Sequence, residues 1–442
     1  MADEQRPVES PPATAPVSES RRIASMDVLR GFAVLGILAM NIAAFGMPGF
    51  DYMDPTIGGF DGMNRLVWII NHFIFDLKMM SIFSMLFGAG IILMTVREHN
   101  AGRGAAGLHY RRMMWLLVFG LIHSYFLWFG DILVAYAVCG MIVYPLRKLR
   151  PAVLIPLGVV VMGIAVGVGG VIGGSMLFMR SQAEQAELAL AEGREPTEMQ
   201  AEMQGVWAEI EPTMMPAPGS IDEEIRAYRG TFMETFVVRA HATLQMQTSM
   251  FAMWGLWRVS GLMLIGMGLM KLGLFAARWS PARLMLTAGL GYALGLPLVY
   301  LGWQRSEAAD FDFIETFAIN WHFNYVGSVF VALAHVSLVM LWCRSGVWEA
   351  GRRTLAAVGR MAFTNYIAQS LIFTTLFYGY GFGLFASLER WQLVPLVLGA
   401  WALQLAWSPW WLARFRYGPL EWLWRSLSYG NSEPLRRGQA VA

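Results

Sequence analysis

Cysteine is nearly missing from this chain: Cys139 and Cys343 are the two in 442 residues. Both lie in or beside apolar runs, which excludes a disulfide framework or a zinc site and leaves free buried thiols as the expectation. Charge is scarce too. Asp, Glu, Lys and Arg make up 14% of the residues, where soluble domains carry about a quarter. There is no His-Glu-x-x-His, no Gly-x-Ser-x-Gly, no Walker A loop and no Cys/His metal spacing, so soluble-type hydrolase, nucleotide-binding and metal chemistry have no support. No internal repeat is evident, and an inverted-repeat transporter draws nothing from symmetry. The net charge of +2, with basic residues dispersed, gives no reason to expect nucleic acid.

What fills the chain instead is apolar. Hydrophobic residues make up 56%, with 46 Gly, 30 Met and 18 Trp, which suits close-packed spans with Trp at headgroup level. The expected fold is an all-α membrane protein, a polytopic bundle of about ten transmembrane helices with both termini cytoplasmic. Apolar runs long enough to cross fall at 27–47, 67–95, 113–130, 131–146, 152–179, 248–270, 284–302, 316–343, 355–378 and 392–412. With the N-terminus inside, the cytoplasmic segments carry nearly three times the Lys and Arg of the outer ones, and one misplaced span would reverse that bias. The organisation that follows is a disordered cytoplasmic tail over 1–22, a membrane half over 23–179, an extracytoplasmic helical loop over 180–247, a second membrane half over 248–430 and a cytoplasmic tail over 431–442. The first tail is too acidic for a signal peptide and the run after it too long, so the first span is expected to stay uncleaved.

Ionisable residues inside such runs are costly and mark candidate sites. Asp27 and Arg30 share a face at the mouth of the first run. They are either an interface anchor, with Arg30 snorkelling, or a buried functional pair. Asn41 closes the same run. In the second run His72 and Asp76 sit one turn apart near the outer interface, and Lys78 lies nearer the middle, where it needs a counter-charge or a water-filled cavity. His123 stands halfway along the third run, and Asp131 closes it. That His is either a satisfied core residue or a general base whose tautomer a carboxylate fixes, and contact between the two requires a bend at Gly130 or a second helix. Arg258, in the sixth run, is a candidate partner for Asp76, Asp27 or an anionic ligand. Asn365 and Gln369 form an amide pair, with Tyr366 and Ser370 beside them, that reads as helix–helix glue before it reads as a binding group. His322 and His335 read as core or interface residues, and His99, His109 and His241 as loop residues.

Several strings, in order along the chain, resemble the YeiB-like bacterial membrane family: RIASMDVLRGFAVLGILAMN, LKMMSIFSMLFGAG, GLIHSYFLWFGDILVAYA, WRVSGLMLIGM, GRMAFTNYIAQSLIFTTLFYG and FRYGPLEWLWRSL. They run from about Arg22 to Tyr429. The opening D-x-L-R-G string is also similar to the start of membrane acyltransferases such as heparan-α-glucosaminide N-acetyltransferase and the O-antigen acyltransferases. That resemblance implies acyl-CoA as co-substrate, no bound cofactor, and transfer of the acyl group to an acceptor across the membrane. In the heparan type a His opens the second span shortly before an Asp, and His72 and Asp76 stand in similar places. The expected catalytic set is therefore His123 with Asp131, then His72 with Asp76. Asp27, Arg30, Asn41, Lys78, Arg258, Asn365 and Gln369 form the expected binding set, and no metal is expected. The function expected is a bacterial inner-membrane acyltransferase acting on an envelope or small-molecule acceptor. A transporter or exporter is the alternative, and a structural scaffold the third reading. Expected partners are membrane lipids and a small-molecule, glycan or lipid acceptor, with a homo-oligomer compatible.

Overall fold

A computed structural model describes residues 24–102, 104–214, 217, 219–431 and 434–437. The tail expected over 1–22 lies outside the described residues, as does part of the one over 431–442. In chain order the α-helices are α1 (Ala24–Gly46), α2 (Gly62–Ile70), α3 (Lys78–Asn100), α4 (Ala105–Phe126), α5 (Leu133–Val143) and α6 (Pro151–Ala191). There follow α7 (Glu198–Met214), α8 (Ser220–Arg229), α9 (Phe232–Gln245), α10 (Leu256–Lys271), α11 (Pro281–Ala308) and the single turn α12 (Phe313–Glu315). The chain continues with α13 (Trp321–Ser345), α14 (Glu349–Arg360), α15 (Ala362–Phe377), α16 (Leu393–Arg414) and α17 (Pro419–Tyr429). Among the described residues there is no strand, only an isolated bridge between Phe415 and Arg436. The protein is an all-α membrane protein.

Among the described residues seven stretches are long and apolar enough to cross a bilayer: Ala24–Gly46, Gly62–Asn100, Pro151–Ala191, Phe232–Lys271, Pro281–Ala308, Phe313–Ser345 and Arg390–Arg414. The runs expected at 113–130, 131–146 and 355–378 are also helical but fall outside that set. In these, α4 carries His109, Arg111 and Arg112, α5 has 11 residues, and α15 has 16 after an interruption at Met361. The expected loop at 180–247 begins and ends inside helices. α6 runs on to Ala191, while α9 starts behind a Thr231–Glu234 capping box and passes through a wide π-type turn, Met246–Gly255, into α10.

Cross-helix hydrogen bonds sort the helix ends into two faces. At one, Ser25 Oγ donates to Phe275 O (2.7 Å), Lys271 Nζ to Leu149 O (2.6 Å) and Arg344 Nη1 to Ala277 O (2.6 Å). We refer to this as the basic face. At the other, Ala386 N donates to Gly46 O (2.8 Å), Arg390 pairs with the buried Asp51 (2.8 Å) and Arg239 Nε reaches Tyr125 O (2.9 Å). Small residues bring the inner helices close, as membrane packing requires. A Cβ on Gly88 of α3 would strike Met263 O of α10, and one on Gly266 of α10 would strike Met85 O of α3. Where α15 restarts, Glu421 of α17 supplies the cap: its carboxylate accepts from Phe363 N (2.7 Å), Thr364 N (3.0 Å) and Thr364 Oγ1 (2.6 Å). Burial raises the Glu421 carboxyl above its ordinary range, and the bonds from Thr364 and Phe363 act against that rise.

Candidate functional site

The second long span is broken in the middle. After α2 and one π turn (Asn71–Phe75) the chain leaves the helix at Asp76 and passes through Leu77 in the left-handed region, φ 59° and ψ −22°, before α3 restarts at Lys78. A left-handed non-glycine residue costs roughly 1–2 kcal/mol, and Leu77 is buried, so packing holds it there. The interruption frees carbonyls that a continuous helix would use. His72 O accepts from Lys78 Nζ. Ile74 O accepts from His335 Nε2 at 3.1 Å, and since a carbonyl only accepts, the His335 proton is on Nε2 and Nδ1 receives the Tyr292 hydroxyl at 2.8 Å. Lys78 was expected deeper and apart from Asp76. The break brings the two onto one partner instead.

That partner is Asn324, in the first turn of α13. Its Nδ2 donates to Asp76 Oδ2 and its Oδ1 accepts from Lys78 Nζ, both at 2.7 Å. One amide thus stands between a carboxylate and an ammonium whose residue is 0% exposed. Tyr52, from the loop after α1, covers the other oxygen, its hydroxyl 3.0 Å from Asp76 Oδ1. His72 Nδ1 lies 3.4 Å from Asp76 Oδ2, with its ring stacked on Trp68. Arg258, also 0% exposed, donates to Tyr325 O (2.7 Å), Ser81 Oγ (2.9 Å) and Ser328 Oγ (2.7 Å). Among the described residues no carboxylate lies within 4 Å of its guanidinium, and Asp76 acts on it at longer range.

The second cluster lies where α4, α5 and α15 meet. His123 was expected halfway along its span. α4 starts at Ala105 and ends at Phe126, which puts His123 in its last turn. The chain then reverses through 127–132, with Leu127 N and Trp128 N both bonded to His123 O at 2.9 Å. That reversal returns Asp131 to His123, Oδ2 to Nδ1 at 2.7 Å, while Oδ1 accepts Val134 N at 2.8 Å at the start of α5. Gly120, one turn before His123, leaves room for Asp131 Oδ1. The carboxylate fixes the proton on Nδ1, so the Nε2 lone pair faces the Ser370 hydroxyl at 2.8 Å. The side chains of His123 and Asp131 are each 1% exposed and Ser370 is fully buried. Sequence reasoning placed Ser370 only beside an amide pair. Nothing local marks it, since its partner is 247 residues away.

The remaining expected residues divide elsewhere. Asp27 and Arg30 form an ion pair at 2.7 Å near the basic face, with the arginine side chain 32% exposed. Asn41 is half-buried and makes no side-chain hydrogen bond among the described residues. Asn365 and Gln369 belong to an amide ladder. Asn365 bonds Ser408 Oγ (3.1 Å) and Trp407 Nε1 (2.8 Å), and Gln369 bonds Val34 O and Gln404 Oε1, both at 3.1 Å. His109 is no loop residue: it is buried in α4, its Nε2 3.0 Å from Gly140 O and its ring stacked on Tyr144. His99 and His241 are likewise helical, in α3 and α9. Both cysteines are free, and no metal-binding group of His, Cys, Asp and Glu occurs among the described residues.

Residues 269–431 match a family described as "Protein of unknown function (DUF418)". Over 425 residues the chain is 30% identical to "Uncharacterized protein YeiB" of Escherichia coli (strain K12), covering 93% of this chain and 98% of that one. It is 28% identical over 438 residues to "Uncharacterized protein YxaH" of Bacillus subtilis (strain 168), covering 96% and 99%. No solved structure matches. With near-complete alignment at that identity, the chain belongs to the YeiB-like family, and its long apolar helices make it an integral membrane protein.

Proposed function

We propose that the protein is a membrane acyltransferase, with Ser370, His123 and Asp131 as nucleophile, base and orienting carboxylate. The observation that carries the reading is the hydrogen-bonded order Asp131–His123–Ser370, at 2.7 and 2.8 Å. That order matches the roles of nucleophilic acyl transfer, and such triads are recognised by geometry and not by chain order. Ser370 Oγ adds to the thioester carbonyl of an acyl-CoA, and its proton passes to His123 Nε2. The C–S bond breaks and the thiolate leaves with that proton. An acceptor hydroxyl or amine then adds to the serine ester and gives its proton to the same nitrogen, which returns it to Ser370 as the C–O bond breaks. We read the membrane as the bacterial cytoplasmic one, with the basic face inside. Ser370 is closed off in this state, so turnover requires α15 to part from α4.

The test is incubation of the purified full chain in nanodiscs with labelled acetyl-CoA and lipid or sugar acceptors. Label transfer or acetyl-CoA hydrolysis is expected, falling about 10²–10⁴-fold in Ser370→Ala and His123→Ala. An unchanged rate in Ser370→Ala removes the nucleophile, and no consumption of acetyl-CoA by the wild-type chain removes the enzyme. A transport reading is favoured by a separate observation, the interrupted span with Asp76, Lys78 and Asn324 at the break, since discontinuous helices line midplane sites in transporters. Solute flux in vesicles without acyl transfer would select it.

A further inference from the structure

Three arginines from three helices converge at the basic face. Arg30 lies in α1, Arg97 in the last turn of α3 and Arg112 in the first half of α4. The short turn between α3 and α4 places the last two near each other, and α17 packs along α4 to supply what they meet. Arg97 Nη1 reaches the Tyr429 hydroxyl at 3.4 Å. Arg112 Cζ stands over the Trp424 ring, 4.3 Å from its centroid, and Trp424 Nε1 ties back to Arg112 O at 3.0 Å. Arg112 interacts electrostatically with Tyr429, Arg97 and Arg30 together.

All three arginines are half-buried, where like charges are screened less than in open water. Asp27 pairs with Arg30. Among the described residues no carboxylate lies within 4 Å of Arg97 or Arg112, whose neighbours are a phenol and an indole. A packing role would pair these guanidiniums with acids. Instead both meet the Tyr429 hydroxyl, and an arginine over a ring still has N–H groups to offer a planar or tetrahedral oxyanion.

We propose that Arg97, Arg112 and Tyr429 bind the phosphate groups of a ligand that enters from the basic face. The chemistry suits either a soluble nucleotide-type diphosphate or the headgroup of an anionic phospholipid. The first source would deepen the acyl-transfer reading by naming the handle of its donor, yet binding is measured without any transfer.

The probes are coenzyme A, titrated calorimetrically against the full chain in phosphatidylcholine nanodiscs, and phosphatidylglycerol, followed by native mass spectrometry as lipid retained through delipidation. Saturable coenzyme A binding is expected, weakening about tenfold or more in Arg112→Gln and, independently, in Arg97→Gln. Raising the salt should weaken it too. Retained phosphatidylglycerol lost in the same variants, with no coenzyme A binding, assigns the site to lipid and still supports it. Neither probe binding, or both binding equally to the wild-type chain and to a folded Arg97→Gln chain, overturns the proposal. Binding without acyl release would sink the transfer reading and leave this site. Acyl release with wild-type affinity for both probes in both variants would do the reverse.

Discussion

At the residue scale, Asn324 carries more of the buried charge balance than its neutral side chain suggests. It donates to Asp76 and accepts from Lys78, so its loss leaves both ions of the pair short of a partner in a place water does not easily reach. Leucine is close in size and has neither group. Asn324→Leu is expected to destabilise the protein by about 3 kcal/mol, read as a lower melting temperature in detergent, and an unchanged melt would mean the bridge is unimportant to stability. Ser370→Ala tests a different matter. Removing that hydroxyl leaves the His123–Asp131 bond in place, so a structural role predicts a change of about 1 kcal/mol and no activity effect. The acyl-transfer reading predicts near-wild-type melting with lost turnover. His123 and Asp131 were legible because they lie eight residues apart in the sequence; Ser370 was not, because an isolated serine in an apolar run has no periodicity to expose it.

At the scale of elements, the position of Arg258 depends on how closely α3 and α10 approach. Gly88 and Gly266 allow that contact. Gly289 of α11 has open space where its Cβ would be. Gly266→Leu is therefore expected to abolish the folded, monodisperse species in size-exclusion chromatography, and Gly289→Leu to leave it intact. Equal behaviour of the two would show that the crossing is not set by these glycines. The interruption at Asp76–Leu77 was unreadable for a related reason. Leu, Lys and Met are good helix formers, and the run through 67–95 has no Pro or Gly before Gly88. The bonds from Lys78 and His335 to the freed carbonyls offset the break.

For the whole molecule, hydrogen bonds collect the helix ends at two faces. Ser25, Phe275, Ala277 and Arg344 meet at one end, while Gly46, Asp51, Arg239 and Arg390 gather at the other. Exposed positions on each face give a direct test. In a chain lacking Cys139 and Cys343, Glu187→Cys is expected to react with a membrane-impermeant maleimide in intact cells, and Ser345→Cys only after permeabilisation. The opposite pattern would invert the orientation.

By itself the sequence determined the solvent of this protein and the local pairs within it. Run length and helical spacing are one-dimensional quantities, so the apolar helices and the nearness of Asp27 to Arg30 could be read along the chain. Tertiary structure alone decided which polar groups share a site. Asn324 meets Asp76 across 248 positions and Ser370 meets His123 across 247. Such meetings depend on the rotation and crossing of whole helices, which glycine contacts and freed backbone carbonyls fix, and no pattern within one helix carries that information.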